Sequence, residues 1–183
     1  ANGINAVNQV CGVGYLQGVE RAYRFDLDND EIVAIPVLPG GAQNRGYRLN
    51  TAGHVVGVSE TDQLDDEGDP IFHGFLWKGA GAPIDLGSLT TSSSSATDIN
   101  GQGEIVGTST VPSTSLFGEW LALRWKDGVP PAVALETEVP DRPSWQLRLA
   151  WGINDTGWIV GNGWTTFRGR TTSSAYLLTP IEQ

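Results

Sequence analysis

A nine-residue phrase occurs four times along the chain, and this repetition constrains the fold more than any other feature. The copies span residues 4–12, 49–57, 99–107 and 153–161, and they read INAVNQVCG, LNTAGHVVG, INGQGEIVG and INDTGWIVG. Successive copies begin 45, 50 and 54 residues apart. A period of this length indicates a repeat architecture in which one supersecondary unit is used several times.

Each phrase predicts a tight turn followed by a strand. The Asn at its second position can cap the turn through its side chain, and the residue three positions later must tolerate a left-handed backbone. That later position holds Asn8, Gly53, Gly103 and Gly157. An apolar pair follows in every copy, namely Val10-Cys11, Val55-Val56, Ile105-Val106 and Ile159-Val160. Adjacent strand residues point to opposite faces, so we expect both faces of each sheet to be buried.

Two more strands are predicted in each of the first three units, and one more in the last. A small residue followed by bulky ones indicates a third strand, and it occurs at Ala22, Gly74, Ala122 and Ala175. A turn and a further apolar run predict a fourth strand at residues 32–38, 84–89 and 132–135. Four short antiparallel strands in each unit are typical of β-propeller blades.

We therefore predict an all-β, propeller-like fold for residues 1–183, taken as a single repeat domain. The units span approximately 1–45, 46–95, 96–149 and 150–183. The last blade is incomplete, because no fourth strand follows residues 175–178. Either the ring closes without that strand, or the open strand edge pairs with another chain, since exposed backbone donors favour pairing.

These motifs resemble the HAF repeat of bacterial extracellular proteins. The resemblance is carried by the four Asn-containing phrases, by strands such as Gly74–Trp77, by the Leu86–Leu89 run and by the ending Ala175–Pro180. Gly74 and Asn8 depart from the usual Ala and Gly of the pattern, and neither change threatens the fold. The resemblance implies secretion, association with the cell surface and a propeller-like fold, but it implies no known reaction.

Composition disfavours several classes of partner. The net charge is −10 with only 11 Lys and Arg residues, which argues against nucleic acid and anionic membranes. No apolar run approaches the roughly 20 residues that cross a bilayer. The chain has no Met and begins at Ala1, so we expect it to be a processed form or a fragment. Cys11 is the single cysteine and occupies a valine position of the repeat, which predicts a small buried side chain.

Two groups of aspartates are candidate Ca²⁺ ligands, because hard oxygen ligands at short spacing suit this ion. The first group is Asp26, Asp28 and Asp30. It lacks the turn Gly and the distant Glu of an EF-hand, and it aligns with an ordinary hairpin turn in other units. The second group is Asp62, Asp65, Asp66 and Asp69. The alternative for this second group is a solvated acidic loop.

Aromatic and basic residues of the last unit are candidate ligand contacts. Trp145, Trp158, Trp164 and Phe167 fall in or beside connections that carry no Trp in the other units, and Arg168 and Arg170 follow them. Exposed aromatic faces can stack on sugar rings, and an Arg can hold an acidic group. The alternative is that these aromatics pack and seal the last blade.

We interpret the chain as a non-catalytic recognition or adhesion module, extracellular or at the bacterial cell surface, that binds protein or carbohydrate. It would use the connections between second and third strands, at residues 14–20, 60–72, 110–119 and 163–174, because loops of one kind gather on one propeller face. One alternative is a structural subunit that self-associates through its open strand edge. Another is a glycan hydrolase, although no pair of carboxylates stands out among the 21 acidic residues.

Overall fold

The computed structural model describes residues 1–111, 119–139 and 144–180. Within these ranges the chain forms fifteen β-strands and two short 3-10 helices, and it contains no α-helix. No helix in these ranges could cross a bilayer. The strands form four antiparallel sheets, and each sheet is a meander whose strands lie in chain order. The prediction of an all-β fold with four repeated antiparallel units is therefore confirmed.

The four sheets are labelled I to IV along the chain. Sheet I contains β1 (Gly3–Ile4), β2 (Gln9–Leu16), β3 (Val19–Asp26) and β4 (Glu31–Ala34). Sheet II contains β5 (Asn44–Leu49), β6 (Val55–Leu64), β7 (Pro70–Trp77) and β8 (Ile84–Asp85). Sheet III contains β9 (Ser94–Ile99), β10 (Ile105–Val111), β11 (Glu119–Trp125) and β12 (Val133–Ala134), with the 3-10 helices Lys126–Gly128 and Leu135–Glu138 beside β12. Sheet IV contains β13 (Trp145–Ile153), β14 (Ile159–Phe167) and β15 (Arg170–Leu178).

The connections between second and third strands differ from the prediction. In sheets I and IV they are hairpins that keep their strand pairing almost to the tip, and they are not loops. The tips are two-residue turns in which both residues have positive φ, 53° and 82° at Gln17 and Gly18 and 50° and 75° at Arg168 and Gly169. Such turns match the twist of antiparallel strands, which lets pairing continue up to the turn.

The repeated phrase forms the predicted turn in all four sheets. Asn50 Oδ1 accepts hydrogen bonds from the backbone N–H groups of Ala52 and His54, both at 3.1 Å. The equivalent asparagines accept the same two bonds at 2.8–3.1 Å. The residue three positions after the Asn has a positive φ in every copy, namely Asn8 (56°), Gly53 (75°), Gly103 (86°) and Gly157 (77°).

The same asparagines also connect the sheets. Asn5 Nδ2 donates to the main-chain oxygen of Asn50 at 2.9 Å, and Asn50 Nδ2 donates to that of Asn100 at 3.1 Å. Asn100 Nδ2 in turn donates to the main-chain oxygen of Asn154 at 3.1 Å. Each side chain thus holds its own turn with its oxygen and the next sheet with its nitrogen. We call this series of bonds the asparagine ladder.

Three hydrophobic cores lie between consecutive sheets. The first joins sheets I and II, the second joins sheets II and III, and the third joins sheets III and IV. We call the side of a sheet that packs on the following sheet its forward face and the other side its backward face. Cys11 and Ala22, for example, lie on the forward face of sheet I, and Val55 and Phe75 meet them from the backward face of sheet II.

The apolar pair of the phrase contributes one side chain to each face. In sheets II and III both members are fully buried. In sheet IV, Ile159 is 3% exposed on the backward face, whereas Val160 is 47% exposed on the forward face. The prediction that both faces are buried is confirmed for sheets II and III. It is wrong for the forward face of sheet IV and for the backward face of sheet I, where Ile4 is 67% exposed, because no sheet in the described part of the chain covers either face.

The final Gly of the phrase is required by a close backbone approach. A Cβ atom at Gly57 would lie 1.9 Å from the main-chain oxygen of Arg45, and one at Gly107 would lie 1.9 Å from that of Ser95. The pairing of first and second strands shifts register at this place in sheets II and III. The first strand therefore bulges toward the second, and only a residue without a side chain fits.

Cys11 is a buried core residue, as its position in the repeat predicts. Its side chain is fully buried between sheets I and II. Burial raises the pKa of the thiol to about 11, because the charged thiolate would lose its hydration. The thiol is therefore protonated and shielded at neutral pH.

The asparagine ladder predicts unequal costs for two matched substitutions. Asn50→Ala removes two turn bonds and one buried ladder bond. Asn154→Ala removes the equivalent turn bonds and an exposed bond from the Thr156 hydroxyl, which water replaces, but no ladder bond made by its nitrogen. We expect Asn50→Ala to lower the free energy of unfolding by about 1 kcal/mol more than Asn154→Ala, which is the usual net value of one hydrogen bond. Chemical denaturation measures the difference. Equal losses would show that the ladder adds nothing to stability.

The burial of Cys11 predicts slow reaction with thiol reagents. We expect Ellman's reagent to modify the folded chain far more slowly than the chain in denaturant, because modification requires sheets I and II to separate. The rate is read from absorbance with increasing denaturant. A native rate equal to that of the denatured chain would contradict the position of Cys11.

Candidate functional site

The first strands of sheets II, III and IV, together with Ala1 and Asn2 just before β1, line one cleft. β5 contacts β1, β9 contacts β5, and β13 contacts β9, so these strands lie side by side through the stack. The cleft has a volume of about 880 Å³. Its wall includes the aromatic rings of Tyr47, Trp120 and Trp151, the guanidinium group of Arg48 and the hydroxyl groups of Ser95, Thr97 and Thr108.

Two tryptophans give the cleft its aromatic surface. Trp120 in β11 is 45% exposed, and Trp151 in β13 is 50% exposed. The indole Nε1 of Trp151 donates to Asn162 Oδ1 at 2.7 Å, which fixes one edge of this ring. The main chain of Trp120 accepts a bond from Arg148 at 3.3 Å. A ring that is already held in place loses little side-chain entropy when a ligand binds.

Polar groups of the cleft retain capacity for a ligand. Thr97 Oγ1 donates to the main-chain oxygen of Ala150 at 2.6 Å, and Thr108 Oγ1 donates to that of Arg148 at 3.3 Å. A hydroxyl that donates its proton still has lone pairs that can accept a bond. Arg48 donates to the main-chain oxygen atoms of Asn2 and Tyr47, and a guanidinium carries five N–H donors in total. The cleft therefore offers both donors and acceptors.

A half-buried carboxylate belongs to the residue that follows Thr97 of the cleft wall. Asp98 follows Thr97 in β9, and its Oδ2 accepts a bond from the backbone N–H of Ile153 at 2.9 Å. Burial raises the pKa of Asp98, and the backbone N–H groups of Ile153 and Ile99 and the charge of Arg48 only partly oppose this effect. Asp98 thus links the first strands of sheets III and IV at a cost in desolvation.

The aromatic residues that the sequence suggested as ligand contacts lie on different faces of sheet IV. Trp164 lies in β14 on the forward face of sheet IV and is 38% exposed, and Trp158 immediately before β14 is 46% exposed. The guanidinium of Arg148 lies 4.8 Å from the ring centre of Trp164. Trp145 instead packs against the third core, on the backward side of the same sheet.

The remaining suggested contacts lie at the tip of the β14–β15 hairpin. Phe167 is 71% exposed, and the guanidinium of Arg168 lies 5.3 Å from its ring centre. Arg170 begins β15 and is exposed. The structure therefore brings Phe167 and Arg168 together and separates Trp145 from Trp158 and Trp164. Ligand binding by these residues stays a prediction.

The first aspartate group forms a turn between β3 and β4. Asp26 Oδ1 accepts bonds from the backbone N–H groups of Asp28 and Asn29 at 3.1 and 3.2 Å. Asp28 Oδ1 accepts a bond from Asn8 Nδ2 at 3.0 Å, and Asp30 has a φ of 53°. These carboxylates thus take part in turn capping.

The second aspartate group reproduces the turn of the repeated phrase. Asp65 Oδ1 accepts bonds from the backbone N–H groups of Glu67 and Asp69 at 3.1 and 2.8 Å, as the phrase asparagines do. Asp66 lies within this turn, and Asp62 lies in β6. In the described ranges, no three His, Cys, Asp or Glu side chains share one metal position. Calcium binding stays a prediction.

Trp120 and Trp151 were not singled out by the sequence analysis. A signal was present for Trp151, because it lies three residues before the phrase Asn, at the place of Tyr47 and Thr97 in the repeat. Recognising it required knowing that the first strands meet around one cleft. Trp120 belongs to a third strand, and the repeat pattern gives no reason to place it near a first strand.

Comparisons with protein-family models, curated proteins and solved structures give no match for this chain. The resemblance to HAF repeats therefore rests on the sequence motifs alone. The geometry of the cleft and of the sheet faces is what supports a functional interpretation.

The raised pKa of Asp98 predicts a stabilising substitution. A carboxyl group whose pKa is higher in the folded state costs stability once the pH rises through that pKa, because the unfolded chain releases the proton more readily. Asp98→Asn keeps an acceptor for Ile153 and removes the charge, so we expect a higher melting temperature at neutral pH. The gain should shrink as the pH falls through the raised pKa of the folded state and should be absent below the ordinary Asp pKa. Melting curves across pH measure it, and a neutral-pH loss would contradict the assignment.

Proposed function

We propose that the chain is a non-catalytic binding module that holds a segment of a glycan in the cleft between its first strands. The four sheets would form consecutive blades of a propeller-like arc, with the first strands nearest the axis. The observation that carries this proposal is the pair of half-exposed tryptophans, Trp120 and Trp151, in a cleft that is lined by residues of sheets II, III and IV and by the chain start at Ala1 and Asn2.

The chemistry of the wall suits a carbohydrate. A sugar ring presents C–H groups on its faces and hydroxyl groups around its edge, so it needs flat apolar surfaces with donors and acceptors beside them. The two indole rings supply the surfaces. Arg48, Thr97 and Thr108 supply the donors and acceptors.

Binding without chemistry is favoured over hydrolysis. A glycosidase requires two carboxyl groups on opposite sides of the scissile bond. The described residues that line the cleft carry aromatic, hydroxyl, amide, aliphatic and guanidinium groups. The carboxylate of Asp98, the residue after Thr97, is engaged by the backbone of Ile153. The HAF resemblance supports an extracellular or cell-surface location for this module.

The test is a printed glycan array followed by titration of the strongest binder into the protein. We expect Trp120→Ala to raise the dissociation constant at least tenfold, because truncating a tryptophan that anchors a contact costs about 2 kcal/mol or more and a tenfold change corresponds to about 1.4 kcal/mol. Intrinsic fluorescence should report binding in the unmodified protein, since the rings themselves contact the ligand.

Trp158→Ala is the matched control. Trp158 has nearly the same exposure as Trp120, but it lies outside the cleft wall. We expect this variant to bind as the unmodified protein does. Loss of binding in Trp158→Ala with normal binding in Trp120→Ala would reject the cleft and favour the residues suggested by the sequence. No bound glycan on the array would count against a carbohydrate ligand.

A further inference from the structure

We propose that two copies of this chain associate head to tail, with the forward face of sheet IV in one copy packed on the backward face of sheet I in the other. The contact would repeat the packing that joins consecutive sheets within the chain. The proposal rests on these two end faces and requires no ligand in the cleft, although Arg48 borders both the cleft and the surface around Ile4.

The backward face of sheet I is exposed, although the equivalent faces of sheets II, III and IV are buried. Ile4 is 67% exposed, whereas the equivalent Leu49, Ile99 and Ile153 are 7%, 5% and 8% exposed. The difference arises because each of the latter three lies against the preceding sheet. Sheet I has no preceding sheet in the described part of the chain. Its apolar side chains are therefore arranged for a partner of the same kind.

The forward face of sheet IV is likewise exposed at positions that are buried in other sheets. Val160 is 47% exposed, whereas Cys11, Val56 and Val106 at the same position are fully buried. Leu177 is 49% exposed, and its equivalent Leu76 is 2% exposed.

The small residue of the third strand behaves in the same way. Ala22 and Ala122 are fully buried, and Gly74 packs so closely that a Cβ atom there would lie 2.9 Å from the backbone nitrogen of Ala96. Ala175 occupies this position in sheet IV and is exposed. Sheet IV therefore keeps the small residue that a following sheet would require.

The asparagine ladder ends in matching polar groups. Within the described residues, the side-chain hydrogen bonds of Asn154 are all made by Oδ1, so its Nδ2 remains a free donor. At the other end, the main-chain oxygen of Asn5 stands where Asn50, Asn100 and Asn154 each accept a ladder bond. Head-to-tail packing would join this donor to this acceptor and add a fourth ladder bond. Two copies of one face could not do so.

Trp158 fits the same arrangement. Its equivalents Gln9 and Glu104 lie close to the turn glycine of the next sheet, at Gly53 and Gly157. By equivalence, Trp158 would cover the β1–β2 turn of a second copy. The turn presents Val7, which is 48% exposed. An indole ring over an apolar turn is a typical anchor of a protein interface.

A second copy is the occupant that these observations favour. The surface complementary to each end face, with the same apolar positions and the matching ladder group, is carried by the chain itself. Ile4, Val160 and Leu177 are uncharged, so their burial carries no cost for an unpaired charge. The charged side chain beside Ile4 is Arg48, which already donates to the main-chain oxygens of Asn2 and Tyr47. An interface between two different faces either closes into a ring or continues as a stack.

The test is sedimentation equilibrium of the full chain from low to high micromolar concentration. We expect the unmodified protein to associate, with a fixed mass for a closed ring or a rising mass for an open stack. Ile4→Glu and Val160→Glu should each raise the dissociation constant at least tenfold, because each buries a charge at one side of the contact. Leu64→Glu is the control, since Leu64 is 63% exposed in sheet II, away from both end faces.

Mixing the two variants makes the test specific. Ile4→Glu leaves the forward face of sheet IV unaltered, and Val160→Glu leaves the backward face of sheet I unaltered. The mixture should therefore form a heterodimer through these two unaltered faces. Unchanged melting temperatures of the separate variants would show that both remain folded. A monomeric unmodified protein at every concentration would overturn the proposal. The proposal would also be overturned if only one of the two variants disrupted association, or if Leu64→Glu disrupted it to the same degree. The absence of a heterodimer in the mixture would overturn it as well.

Discussion

One asparagine side chain in each repeat holds the structure together at two levels. Its oxygen binds two backbone N–H groups and closes the turn between the first and second strands in all four repeats. In the first three repeats its nitrogen also binds the backbone of the next sheet. Asn50 and Asn100 do this while 6% and 3% exposed. A buried amide group whose oxygen and nitrogen both form hydrogen bonds stabilises the fold and also fixes the position of the turn relative to the next sheet. The turn, and hence the position of the first strand, is therefore set together with the stacking of the sheets.

The stacking explains why the repeat tolerates little variation where sheets meet. Each sheet is thin and buries apolar residues only against a neighbouring sheet, so no sheet has a core of its own. Neighbouring backbones must then approach closely, which places glycine or alanine at positions such as Gly74 and Ala122. Such units depend on their neighbours for stability. The two end faces are the sheet surfaces that lack such a neighbour within the described residues.

The cleft and the end faces follow from the same arrangement but differ in chemistry. The cleft collects residues from strands that meet because the ladder aligns the first strands, and it mixes aromatic with polar groups. The end faces carry the apolar positions of the repeat, such as Ile4 and Val160, in an uncovered state. A ligand that needs hydrogen bonds suits the first surface, and another sheet suits the second.

The sequence by itself determined the repeat unit. The Asn, the left-handed residue at Asn8 or Gly53, the apolar pair and the small residue of the third strand are local requirements of turns and strands, so their pattern reveals four antiparallel units. The pattern did not show that the long connections are hairpins. Their tips contain residues such as Gln17, whose left-handed conformation cannot be recognised from the residue type. Only the tertiary structure decided which faces are covered and that Trp120 meets Trp151 at one cleft, since both depend on contacts between residues far apart in the chain.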